Sequence, residues 1–287
     1  MLPAAVGAGV VQINLLTDVI IASLLPEGSI SFLYFADRVN QLPLGVIGIA
    51  VGTALLPLLS RQVAANDATA ANNSQNRAIE VALFLTLPAT GALLVLALPV
   101  VSVLFQRGAF DAVASTATAF ALMGYVLGLP AYVLIKVLVP GYFARKDTRT
   151  PVRIAIAAMV VNLALNLILI WPLQHVGLAL ATALAAWLNA ALLASGLLRR
   201  GHLTLDARLR GRLVRIIGVT VIMTAVLWVA RDALAATSWL DSRGARIGAL
   251  AGLVVLGLVV YGAAAQISGA MRLAELRTLL RRPGSSA

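Results

Sequence analysis

Long apolar runs separated by short polar breaks set the pattern of this chain. Eight runs are long enough to cross a bilayer as helices, which takes roughly 20 residues. They cover 2–25, 31–59, 78–104, 112–143, 151–171, 176–198, 213–235 and 245–267. The second and fourth are long for single crossings. Proline removes a helix hydrogen bond and bends its segment. Pro43 is therefore expected to split the second run, Pro88 and Pro99 to bend the third, and Pro130 and Pro140 to interrupt the fourth. The pattern predicts an all-α polytopic membrane helix bundle of eight spans.

Composition agrees. Of the 287 residues, 61% are hydrophobic and 11% charged, against about 25% charged in soluble domains. The net charge of +11 raises the possibility of nucleic acid. The basic residues lie in short loops between apolar runs and form no single stripe, so no nucleic-acid partner is expected. Their distribution reads instead as membrane topology. One alternate set of connections holds Arg61, Arg77, the 145–153 group, the 199–215 group and the arginines from 272 to 282; the other holds Arg107, Arg231, Arg243 and Arg246. Both termini are thus expected in the cytoplasm, in a multi-pass protein of a bacterial cytoplasmic (inner) membrane. No basic segment precedes the first apolar run, so no cleavable signal peptide is expected.

Two basic residues, Arg38 and Lys136, fall inside expected spans, with Asp18 and Asp37. Charges in hydrocarbon are costly and mark functional candidates by default. Interhelix ion pairing or snorkelling is the alternative for each. Arg38 precedes the expected break at Pro43, and broken helices line substrate cavities in transporters. Asp37 and Arg38 are adjacent and point about 100° apart on a helix, so they cannot both face one direction. Asn162 and Asn166 share a helix face, and Thr182 lies in the next span. Amide and hydroxyl oxygens with one carboxylate suit a small hard cation such as sodium. Spacing alone favours plain interhelical hydrogen bonding. Small-residue pairs four apart (Gly48 and Gly52; Gly124 and Gly128; Gly244, Gly248 and Gly252) are expected to pack helices closely within the bundle.

Catalytic signatures are missing from the sequence: no P-loop, no dinucleotide fingerprint, no HExxH. There is no cysteine, which removes thiolate chemistry. His175 and His202 fall near expected loops, and Glu27 and Asp111 read as solvated loop carboxylates. A transporter is expected rather than an enzyme.

Three blocks carry a resemblance. SFLYFADRVNQLPLGVIGIAVGTALLPLLSR (31–61), VLFQRGAFDAVA (103–114) and KVLVPGYFARKDTRTPVRIA (136–155) resemble, in this order, the signature of the MurJ (MviN) family of lipid II flippases. The first, with its ADR-x3-P-x-G pattern, is the most specific. The resemblance implies the multidrug/oligosaccharidyl-lipid/polysaccharide exporter fold. It implies that residues 1–200 form the C-terminal six-helix lobe and 201–212 a cytoplasmic surface linker. Residues 213–270 would be two extra helices forming a lipid-tail groove, and 271–287 a cytoplasmic tail. The usual family chain has fourteen spans, and this one resembles it from the seventh onward. The expected partners are lipid II, membrane lipids, and the missing N-terminal lobe or a partner chain. Without that lobe, the chain is expected not to flip lipid alone.

Position by position, the resemblance makes Arg38, with Asp37 and Lys136, the substrate-binding set, Arg38 holding the pyrophosphate by charge-assisted hydrogen bonds. Asp18, Asn162, Asn166 and Thr182 fall where some members bind sodium, the one cofactor implied. Two positions depart from the family pattern: Asn166 stands where an Asp can occur, with one fewer negative charge, and Gln41 stands where an acid is frequent. Two alternatives remain: another exporter of the same superfamily, and a non-transporting membrane scaffold in cell-wall synthesis.

Overall fold

A computed structural model describes residue 12, residues 16–235 and residues 242–270, with backbone alone for 49–54. All the regular elements among them are helices. A short segment, α1 (16–22), holds the described part of the first expected span. It is followed by α2 (Ser29–Ala64), α3 (Ala68–Phe105), α4 (Ala112–Val126), α5 (Leu129–Phe143), α6 (Arg149–Arg199), α7 (Ala207–Ala235) and α8 (Arg243–Ser268). The rest of that first span and the expected tail 271–287 lie outside the described residues.

Local chemistry explains the ends. Asp67 and Asp111 cap α3 and α4, each accepting from the amide three residues on at 2.8 Å, as short polar side chains do at helix starts. Asp111 is therefore a cap rather than a merely solvated carboxylate. Ser242 caps α8 in the same way. Pro43 does not split its run as expected. α2 runs unbroken through Pro43 and Pro57, and α3 through Pro88 and Pro99. The packed bundle holds these helices together although each contains two prolines, and each proline removes one helix hydrogen bond. Only the fourth run divides, at 127–128, and there Pro130 sits in the first turn of α5, where proline has no N–H to lose.

α6 is two helices in one. Its backbone leaves helical geometry at Gln174 (φ 49, ψ −130). Asn162 before the bend reaches Thr182 after it, so the arms run antiparallel. These are the fifth and sixth expected spans, joined by a tight turn rather than a loop. Gly177 makes the turn possible, because a Cβ there would lie 2.3 Å from the Leu169 carbonyl oxygen.

Long-range bonds sort the connections into two ends. Asn72 Nδ2 donates to Thr204 Oγ1 at 2.6 Å and Arg200 pairs with Asp147 at 2.6 Å. The connections 65–67, 144–148 and 200–206 therefore share one end, the basic one. His175 contacts the Ala117 carbonyl and the Phe32 ring, which gathers 23–28, 106–111 and 172–175 at the other. One apolar core lies at the basic end, around Leu59, Tyr142, Leu197 and Leu203. A second lies at the opposite end, around Leu33, Val101, Leu122 and Leu178.

α7 and α8 pack against α3 through a third core of Phe84, Leu96, Ile216, Leu227 and Tyr261. Tyr261 donates to the Phe84 carbonyl at 2.6 Å, and Arg231 to that of Val95 at 3.1 Å. α7 begins at Ala207, inside the stretch expected as a linker. Glycine packing divides: Gly124 and Gly128 abut Ala179 and Ala183 of α6, whereas Gly244, Gly248 and Gly252 face open space. The last three do not pack the bundle. Apolar residues such as Ile267, 89% exposed, cover the outside, as lipid-facing surfaces require. Among the described residues, five helical segments are long and apolar enough to cross a membrane, α4 with α5 counted as one and α6 as one.

A cavity with charged residues inside the helix bundle

The seven residues singled out from the sequence fall into three places. Asp18, Asn166, Asn162 and Thr182 form one hydrogen-bonded chain. The Asn166 Nδ2 donates to Asp18 Oδ1 at 2.7 Å and to Asn162 Oδ1 at 3.1 Å. Asn162 Nδ2 reaches Thr182 Oγ1 at 3.4 Å. α1 supplies the carboxylate, the first arm of α6 both amides, and the second arm the hydroxyl. The turn at Gln174 is what brings the two arms together. Asn162 and Asn166 are buried, and Asn166 Oδ1 has no donor among the described residues. One carboxylate, two amide oxygens and a hydroxyl form a hard-oxygen donor set, and an undonated buried oxygen is a position a small cation can satisfy. The residues present therefore fit sodium. Among the described residues, no group of three or more His, Cys, Asp or Glu is placed to hold a metal ion.

Asp37 and Lys136 occupy a second place, the wall of a cavity of about 570 Å³ between α2, α4, α5 and α6. Lys136 lies across Gly48, where a Cβ would come within 2.8 Å of its Nζ. The Lys136 side chain thus packs across the bare backbone of Gly48 on α2. Lys136 makes no ion pair among the described residues. Asn162 and Thr182 line the same cavity, so it touches the hydrogen-bonded chain at one end.

Arg38 stands apart. It is exposed and does not line the cavity. Its guanidinium carbon sits 4.7 Å from the Tyr34 ring centroid, a cation–π contact, and Nη1 reaches Gln41 Oε1 at 3.5 Å. Gln41 Nε2 donates to Asp37. The amide of Gln41 thus spans the two charges that the helix geometry points apart. Arg38 has no carboxylate within ion-pairing distance among the described residues, which leaves its planar fork open on the bundle surface.

Sequence reasoning passed over three cavity residues, Asn40, Tyr132 and Asn189. Signals were present: Asn189 is the lone amide in AAWLNAALL, Asn40 follows Asp37 by three, and Tyr132 precedes Lys136 by four. Reading them as one site needed three helices to be placed together.

The described helices enclose a cavity that carries Asp37 and Lys136 on its wall. The chain belongs to the MurJ family. The family model described as Lipid II flippase MurJ matches residues 1–243. A probable lipid II flippase MurJ from Rhizobium meliloti (strain 1021) is 44% identical over 287 residues, covering 100% of this chain and 54% of its own length. One from Vibrio cholerae serotype O1 is 41% identical over 278 residues, covering 96% of this chain and 52% of its own. A solved structure of lipid II flippase MurJ in an inward closed conformation aligns with TM-score 0.74 and 27% identity, over 95% of this chain and 52% of that one. A transporter of the MOP superfamily from Pyrococcus furiosus aligns with TM-score 0.60 at 18% identity, over 97% of this chain and 65% of that one. That last likeness shows the fold alone. The chain spans about half the length of the curated relatives it matches.

Proposed function

We propose that this chain is the C-terminal portion of a lipid II flippase, which moves the peptidoglycan precursor across the bacterial cytoplasmic membrane by alternating access. The observation that carries this reading is the presentation of Arg38. Its guanidinium stands on the open face of α2, oriented by Tyr34 and Gln41 and not neutralised by a carboxylate. A planar cation held this way suits bidentate hydrogen bonds to phosphate oxygens. Asp37 and Lys136 supply further polar contacts from the cavity wall beside it. The face bearing Arg38 becomes an enclosed site only when a second lobe closes over it, so the lone chain does not translocate lipid. The partner is the N-terminal lobe, carried on the same polypeptide or a separate one. The apolar surface of α7 and α8 forms the groove for the lipid tail, which can lie there without leaving an apolar medium.

In the same reading, Asp18, Asn162, Asn166 and Thr182 hold sodium. Asn166 in place of an acid leaves a single formal negative charge and a weak site. The basic end, with 65–67, 144–148 and 200–206, faces the cytoplasm, as the positive-inside rule requires, and both termini lie there.

The test is complementation. This chain fused behind the N-terminal half of the Rhizobium meliloti relative should restore growth and lipid II translocation in cells depleted of their own flippase. R38A should abolish rescue with normal membrane abundance, and R38K should not restore it, because an ammonium lacks the fork. Full rescue by R38A would overturn the reading.

A further inference from the structure

The block VLFQRGAFDAVA (103–114) lines neither the cavity nor the Asp18–Thr182 chain. Its loop, between α3 and α4 at the end opposite the basic one, is built as a tight hairpin. Gly108 takes a φ of 58, a left-handed conformation that favours glycine. Phe110 N donates to the Arg107 carbonyl at 3.1 Å. Arg107 Nη2 donates to the Leu104 carbonyl at 2.6 Å, and Asp111 caps α4. The tip, 107–109, is exposed, while Phe110 is half-buried.

Phe110 turns back against two other rings. It meets Phe35 of α2 edge-on, with 5.3 Å between centroids, and lies 6.2 Å from Phe105, the last residue of α3. Phe35 and Phe105 are themselves 4.8 Å apart. Three rings from three segments thus close a triangle, at separations where aromatic pairs attract beyond simple burial. From Phe35 the contact passes on. Tyr34 meets Phe35 edge-on at 5.7 Å, and Arg38, one turn along α2, sits over Tyr34. Tyr34 is 54% exposed. Burial alone does not fix its ring, so the contact with Phe35 has to.

We infer that the 106–111 hairpin is the positioning element for Arg38. Phe110 locks Phe35, Phe35 sets the Tyr34 ring, and Tyr34 holds the guanidinium ready for the lipid pyrophosphate. The inference rests on the flippase reading above. The rings act through Arg38 and do not touch the phosphate. They remove rotamer freedom from a long side chain before it binds, so less is lost when its fork engages two oxygens. An exposed arginine without such a stack would have to be ordered by the ligand itself. Plain packing is the competing account, in which Phe110 supports the fold without regard to Arg38.

Two measurements separate these accounts. In the first, the 287-residue chain carrying ¹⁵N-arginine is studied in nanodiscs without ligand. The Arg38 side-chain signal, identified by its loss in R38A, should be shifted upfield by the Tyr34 ring. Y34L and F110L should both move it toward the position of an unstacked arginine, and F110Y should leave it in place. F35L breaks the same ladder from α2 and serves where F110L fails to assemble. In the second, the fused chain of the complementation test is titrated with lipid II. Y34L should weaken binding about fivefold, by loss of the cation–π contact, and F110L about threefold. Y34F and F110Y keep their rings and should bind as the parent does. In an R38A background neither Y34L nor F110L should change the affinity further; where R38A leaves no measurable binding, the arginine signal decides. An Arg38 signal unmoved by F110L, or an affinity loss in F110L that is the same with and without Arg38, would sink the hairpin's role and leave Arg38 as a phosphate ligand. Lipid II binding to R38A as tight as to the parent would overturn the reading of Arg38, and this inference with it.

Discussion

Glu80 of α3 and Arg212 of α7 form an ion pair across 132 residues of sequence. Glu80 is 2% exposed and also pairs with Arg77, whose second nitrogen reaches Asp206 at 2.7 Å. Arg208 Nε lies 3.8 Å from the same carboxylate. Asn72 and Asn76 bind the backbone of Thr204 beside this cluster, Thr204 N donating to Asn72 Oδ1 at 2.7 Å and Asn76 Nδ2 to Thr204 O at 2.8 Å. The connection between the six-span lobe and the last two helices is thus clamped onto α3 rather than lying free. α7 and α8 are expected to move with this lobe as one body.

Removing Glu80 takes away the buried carboxylate that Arg77 and Arg212 share, while Arg77 keeps Asp206. Breaking a buried pair from one side costs about 3–5 kcal/mol. E80A is expected to lower the detergent-solubilised melting temperature markedly and to open the 200–212 connection to trypsin at its arginines. An unchanged melting temperature and cleavage pattern would show that the cluster adds no net stability.

Gly177 is the residue on which the α6 turn depends. A methyl group there meets a backbone carbonyl at 2.3 Å, and backbone cannot swing aside as a long side chain can. Overpacking of this kind costs about 1–3 kcal/mol. G177A is expected to destabilise the fold by that amount and to weaken sodium binding, because the turn sets Asn162 against Thr182. G244A, in open space, is the control and should be neutral. Equal melting curves for the two variants would contradict the packing argument.

Asp147, in the loop between α5 and α6, supplies a pH dependence. Burial pushes its carboxyl up, but hydrogen bonds from Thr150 and Arg200 and the Arg200 charge outweigh this and hold it down at about 2. Its ordinary value is 3.8. A carboxyl depressed in the folded state contributes stability that is complete above the unfolded value and is lost as pH falls through the folded one. The melting-temperature gap between the unsubstituted chain and D147N should be constant above about pH 5 and shrink between about pH 4 and 2. A gap that does not vary over this range would show that the carboxylate is not held down.

The absence of cysteine from the sequence makes orientation easy to test. Asn73 is exposed at the basic end and Ala109 at the other. A membrane-impermeant maleimide applied to intact spheroplasts should label A109C and not N73C, and lysis should expose N73C. The reverse pattern would invert the proposed topology.

Much of the bundle was legible in the chain because a bilayer leaves few choices. Runs of about 20 apolar residues must cross as helices, since lipid offers backbone groups no other partner. The two arms of α6 were separable by the break near Pro172, and Asp18, Asn162, Asn166 and Thr182 by the cost of polar groups in hydrocarbon. Proline effects were less legible. Pro43 reads as a break in isolation, but α2 stays continuous because neighbouring helices hold it on both sides. The stripe of Gly244, Gly248 and Gly252 shows the same limit: small-residue spacing permits close approach and does not say which face is covered.

Composition and hydrophobic pattern by themselves determined an all-helical membrane protein, its count of crossings, the basic end of the bundle and the residues too polar for lipid. Tertiary structure alone decided which of those residues meet. It joined Asp18 to Thr182 through two asparagines and placed Asp37 and Lys136 on one cavity wall. It left Arg38 outside that wall, and it buried Glu80 among arginines far away in sequence. The physical reason is range. Burial of apolar side chains is a property each residue carries along the chain, whereas hydrogen bonds and ion pairs act over a few ångströms between groups that only folding brings together.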